Sequence, residues 1–92
     1  MEPITIYIDG PLDALHLNDV QNEVNNLQIQ EGQFVIIDCT DMTYICSSGL
    51  RIFLAMHKEV TAKNGKLIIK NLQPLVKNVF DMTGFSQIFN FE

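Results

Sequence analysis

A chain of 92 residues is long enough for one modest hydrophobic core, which predicts a single domain over residues 1–92. With 47% apolar and 18% charged residues it has the makeup of a folded globule, not of a disordered segment. A net charge of −5 argues against nucleic acid and anionic membrane surfaces, which want a basic patch, while permitting an acidic face turned to a basic protein.

Ile4-Thr5-Ile6-Tyr7-Ile8 alternates apolar and polar residues, reads as a strand, and stops at Asp9-Gly10-Pro11. Leu12-Asp13-Ala14-Leu15 continues as a loop. Leu17, Val20, Val24 and Leu27 then recur at helical spacing and predict a helix over 17–27, closed by Asn25-Asn26 and the turn Gln30-Glu31-Gly32. Phe34-Val35-Ile36-Ile37-Asp38 is an uninterrupted β-branched and aromatic run, the signature of a central strand covered on at least one side. Residues 39–43 read as a polar loop, and Tyr44-Ile45 leads into Cys46-Ser47-Ser48-Gly49-Leu50-Arg51.

A long amphipathic helix follows, with Leu50, Phe53, Leu54, His57, Val60 and Thr61 on one face and Asn64-Gly65 as its C-cap. Ile52 and Met56 lie off that stripe, which leaves two readings, exposed apolar side chains suited to partner contact or partial burial under the neighbouring helix. Lys66-Leu67-Ile68-Ile69-Lys70 is the next strand. Pro74 fits the first turn of a third helix with Leu75, Val76, Val79 and Phe80 inward and Gly84 as its stop. Phe85, Ile88, Phe89 and Phe91 supply a last short strand or a docked apolar tail. The order β-α-β-α-β-α-β predicts an open α/β sheet of four strands, mainly parallel or mixed, with about three helices.

Chemistry concentrates where strand gives way to helix. Ser47 and Ser48 put two hydroxyls beside helix N–H groups that lack intrahelical partners, a setting suited to phosphorylation or to a bound anion, with Ser47 the candidate N-cap. Enzyme readings find little support: a serine nucleophile needs a positioned base, and glycine is absent from the position of Ile45 that a nucleophile elbow requires. His57 falls on an apolar helix face as a packing residue, and His16 reads as surface. Asp9, Asp13, Asp38 and Asp41 fall at strand ends or in loops as turn formers, so neither a catalytic group, a metal site nor a cofactor is expected. Cys39 and Cys46 match no CxxC or zinc spacing and read as small buried or half-buried thiols. No apolar run approaches a membrane span and no charged-then-apolar leader opens the sequence, so direct membrane insertion is not expected and a cytoplasmic location is.

Four stretches in order resemble the STAS domain, the family of bacterial anti-sigma factor antagonists: Gly10-Pro11-Leu12-Asp13, Val35-Ile36-Ile37-Asp38-Cys39-Thr40, Ser47-Ser48-Gly49-Leu50 and Phe80-Asp81-Met82-Thr83-Gly84-Phe85. The third matches the family's D-S-S-G-L signature apart from its first position, where Cys46 stands. The resemblance implies a STAS-type α/β domain whose N-terminal edge strand is missing or reduced to residues 1–3, leaving an open sheet edge that invites pairing with a second copy. It implies an anti-sigma factor antagonist that regulates transcription by binding an anti-sigma factor serine kinase, with a phosphatase resetting the cycle. By position the phosphoacceptor is Ser47, with Ser48 second choice. The implied partner surface takes in Asp13, the motif Cys46-Ser47-Ser48-Gly49, and the flank of the following helix at Arg51, Ile52 and Met56. Cys46 in place of aspartate removes a kinase-recognition contact and lessens repulsion of a phosphate. That substitution and the short N-terminus keep a second reading open: an accessory subunit of an ABC-type phospholipid transporter that clamps its ATPase without being phosphorylated. A more distant third is a thiol-based redox sensor at Cys46.

Overall fold

The computed structural model describes residues 2–92. In chain order the elements are β1 (Ile4–Tyr7), β2 (Gly10–Leu12), α1 (Leu17–Asn25), β3 (Phe34–Asp38), β4 (Met42–Ile45), α2 (Ser47–Ala62), β5 (Lys66–Lys70), α3 (Pro74–Thr83), a 3-10 turn at Phe85–Gln87, and β6 (Asn90–Phe91). Four strands form one sheet in the order β1-β3-β5-β6, and every pairing in it is parallel. The expected α/β architecture is therefore present. Each neighbouring strand is reached through a helical crossover, as parallel pairing demands. Strand β1 forms the edge; of the N-terminal edge strand, expected to be missing or reduced to residues 1–3, nothing is seen at Glu2 and Pro3, and Met1 lies outside the described residues.

Strand alternation decides which side chains enter the core. Ile6, Val35, Ile37, Leu67 and Ile69 are buried on one face and join α2 and α3 in a single apolar cluster. The opposite face leaves Tyr7 66% and Phe34 49% exposed, so the sheet is covered thickly on one side only. Phe53 of α2 and Phe80 of α3 are both fully buried, with ring centroids 6.2 Å apart. Phe89 and Phe91 close that cluster edge-on to Phe80, at 5.8 and 5.7 Å. Lys77 pairs with Asp81 at 2.7 Å and lies 4.7 Å from the Phe91 ring centroid, which pins the last strand to α3.

Several expectations need correction. The loop expected over 39–43 contains the start of β4, which pairs in parallel with β2, a strand also unforeseen. Helix α1 stops at Asn25, two residues early, and buries no residue fully. Leu75 is 80% exposed, not inward, because the buried stripe of α3 runs through Val76 and Phe80 and Leu75 lies one position off it. Thr61 is likewise exposed. At the end of α2 the left-handed residue is Asn64, φ 59°, and Gly65 is required for a different reason. A Cβ on Gly65 would sit 2.0 Å from the Gln33 carbonyl oxygen, the acceptor for the Lys66 N–H at 3.1 Å. Buried Gln33 is held in turn by its Nε2, which donates to the Glu2 carbonyl at 2.8 Å.

The C-terminal ends of β3 and β5 are tied together by polar groups. The Asp38 carboxylate accepts from the Thr40 N–H at 3.0 Å and the Thr40 hydroxyl at 2.6 Å. Asn71 donates to that hydroxyl and Gln73 to the Thr40 carbonyl, each at 3.1 Å. The Thr40 hydroxyl and N–H hold the Asp38 carboxyl below its usual range. Cys39 next to it is fully buried, and burial with the nearby Asp38 charge pushes its thiol up to about 12.

Two outcomes follow from this packing. Gly65→Ala is expected to lower the unfolding free energy by about 2–3 kcal/mol in urea titrations, because backbone must move to admit the methyl. A carboxyl with a depressed folded pKa stabilises the native state above its unfolded value and loses that contribution as pH falls through the folded one. The urea midpoint of the parent should therefore drop more between about pH 5 and pH 3 than that of Asp38→Asn, and equal slopes would refute the assignment.

Candidate functional site

The strand-to-helix junction is built by the small β2–β4 pair. Leu12, fully buried, lies in register with Ile45, and its carbonyl accepts the Cys46 N–H at 3.1 Å. Gly49 lets the first turn of α2 press onto that pair: a Cβ there would lie 2.9 Å from Ile45 Cγ1 and 3.0 Å from Leu12 Cγ and Cδ2. Gly49 is buried, so its part is close packing, and the expectation that it presents a partner-facing side is corrected on that ground.

Cys46, not Ser47, occupies the N-cap position, with extended backbone at φ −93° and ψ 171° and no side-chain cap bond. Both of its backbone groups are engaged, the N–H by Leu12 and the carbonyl by the Leu50 N–H at 3.1 Å. That shifts the helix start by one residue from the expected register and makes Ser47 the first helical residue. Neither serine hydroxyl is spent on capping. Ser47 and Ser48 are both exposed, and the first-turn N–H groups beside them precede Leu50, the first whose N–H finds a carbonyl one turn back.

The turn after Leu12 emerges next to this junction. Asp13 organises it: its Oδ1 accepts the Leu15 N–H at 3.1 Å and meets His16 Nδ1 at 2.7 Å, while its carbonyl accepts the N–H groups of His16 and Leu17. The His16 hydrogen bond is the largest of the effects that hold the Asp13 carboxyl below its usual range. His16, expected on the surface, is there but paired. The turn so fixed leaves Leu15 86% exposed, and Tyr44 on β4 is 51% exposed. Sequence reasoning singled out neither residue. The available signal was an apolar side chain at each position that matches neither the helical stripe of α1 nor a buried strand face.

Of the flank residues, Arg51 is exposed as expected. Ile52 and Met56 are not: they are 8% and 1% exposed, because α1 packs beside α2 and widens its buried face beyond the stripe that spacing alone outlines. A cleft of about 290 Å³ remains between the two helices, floored by Leu17 and Ile52 and edged by Asn18, Gln21, Ser48 and Arg51. Asp9, Asp38 and Asp41 line a separate cleft beyond β1 and β3, away from Asp13. Among the described residues no group of three or more His, Cys, Asp or Glu side chains is placed to hold a metal ion. No helix of the described residues is long and apolar enough to cross a membrane. His57 is half-buried against Phe89 at 5.3 Å, a packing position, and Cys46 is half-buried.

Comparison with known proteins places this geometry in context. The STAS domain profile matches residues 2–92. The anti-sigma-B factor antagonist of Listeria monocytogenes serovar 1/2a is 28% identical over 89 residues, 97% of this chain and 78% of that protein. The anti-sigma-B factor antagonist of Bacillus subtilis is 28% identical over 87 residues, 95% of this chain and 79% of that protein. The BtrV protein of Bordetella bronchiseptica is 35% identical over 91 residues, 89% of this chain and 78% of that protein. With the profile running through the serine junction and both helices that flank it, the chain belongs to the STAS domain family.

Proposed function

We propose that this protein is an anti-sigma factor antagonist that regulates transcription by binding an anti-sigma factor serine kinase, and that phosphorylation of Ser47 switches the binding off. The observation that carries the reading is the exposed, uncapped Ser47 hydroxyl at the start of α2, in a chain aligned nearly end to end with relatives named anti-sigma factor antagonists. The kinase transfers the γ-phosphoryl group of ATP to Ser47 Oγ; the hydroxyl proton leaves and ADP is the other product. A phosphatase restores the hydroxyl by hydrolysis.

The physical consequence is electrostatic. A phosphoserine adds about −1.5 to −2 charges at neutral pH, and the first turn of a helix tolerates negative charge by roughly 0.3–1 kcal/mol. The fold therefore stays intact while the surface that meets the kinase gains charge and bulk. The protein acts by binding, not by catalysis. Asp13 serves that surface by holding the 13–16 turn, which offers exposed Leu15 as its apolar contact, while Cys46, Ser47, Ser48 and Arg51 supply the rest.

Incubated with its cognate kinase and ATP, the protein is expected to gain one phosphoryl group by mass spectrometry and to leave the complex, whereas Ser47→Ala stays unmodified and bound. If parent and Ser47→Ala bind alike and neither takes phosphate, the switch is refuted. Leu15→Ala should weaken kinase binding by roughly tenfold in calorimetry, with no change in the urea midpoint, since only a side chain already in water is removed.

A further inference from the structure

We propose that Arg51 holds the phosphoryl group on Ser47, seating it at the mouth of the α1–α2 cleft; this rests on the Ser47 phosphorylation proposed above. Ser47 and Arg51 are four residues apart on α2, one turn of helix, so their side chains share a face. Arg51 is exposed and makes no ion pair and no side-chain hydrogen bond among the described residues. Lys63, Lys70 and Lys77 each have a carboxylate within 4 Å, whereas Lys58 and Lys66, like Arg51, have none among the described residues, and neither of those two lines the cleft. Arg51 is also the only charged side chain on the cleft, in a chain whose net charge is −5. The cleft edge therefore carries an unopposed cation, and the neighbouring Ser48 hydroxyl and Asn18 carboxamide add neutral donors without a carboxylate to repel an anion.

A guanidinium suits this task because its planar fork donates two parallel hydrogen bonds to one phosphoryl group. Bound in this way the group lies along α2 toward α1 and is not free to swing toward the Leu15 turn. Arg51 is then a positioning residue for the switched-off state. In the unmodified protein the same guanidinium is available to the partner, so phosphorylation both adds negative charge and withdraws a cation from the shared surface.

The test needs no kinase. Phosphoserine is installed at position 47 of the full chain by genetic encoding, in the parent and with Arg51→Gln or Arg51→Lys, and the phosphate is titrated by phosphorus NMR at low salt. A nearby cation favours the dianion, so the parent's titration midpoint should lie about half a pH unit below that of Arg51→Gln, with Arg51→Lys between them. The gap should close as salt is raised, because the pair is exposed. Unmodified Arg51→Gln is expected to unfold at the parent's urea midpoint, which separates this role from a structural one. Equal midpoints for the three phosphoproteins at low salt would overturn the proposal. A kinase that ignores Ser47 would instead refute the switch and leave this measurement standing.

Discussion

The contact on which the rest depends is the seating of the first turn of α2 on the β2–β4 pair. The hydrogen bond from Cys46 to Leu12 fixes the junction, and the absence of a side chain at Gly49 lets helix and strands touch. Everything that gives the site its character is set by that approach. It decides that Cys46 and not a serine spends its backbone on the cap, that both hydroxyls stay free, and that the Asp13 turn emerges alongside them. A helix starting even one residue later would turn Ser47 into a capping group and commit its oxygen to backbone N–H groups.

The larger sheet does something different. Its parallel strands and one-sided helical cover supply the cohesion, through Phe53, Phe80 and the aliphatic faces of β3 and β5. The polar ties at its far end, from Asp38 through Thr40 to Asn71 and Gln73, close the strand termini without involving the serine junction. The cohesive core and the exposed serine junction are thus separate parts of a small molecule. That separation fits a regulator whose surface charge changes while its core does not.

Much of this was legible in the residues. The β-branched runs at 34–38 and 66–70, the Pro74 start and Gly84 stop of α3, and the long amphipathic helix after Ile45 all fall where pattern places them. What pattern missed has physical causes. Strands β2 and β4 are three and four residues long, and one of them contains Pro11; neither offers enough alternation to register. Ile52 and Met56 are buried by a neighbouring helix that a single helical stripe does not encode. The cap fell to Cys46 because its N–H and carbonyl find partners distant or local in the fold, a matter of tertiary placement and not of side-chain preference. Leu15 went unnoticed because an apolar residue in a loop has no periodicity to stand out from.

The bond between Cys46 and Leu12 joins segments separated by one helix and two strands, so it forms only after the loop between them has closed. Before then Ser47 is one hydroxyl in a flexible peptide, with no rigid turn beside it and no ordered helix behind it. An enzyme that recognises the assembled junction therefore reads completion of the fold along with the identity of the serine. Under the proposal that Ser47 is the acceptor, unfolded copies of the chain carry the same residue yet lack its address.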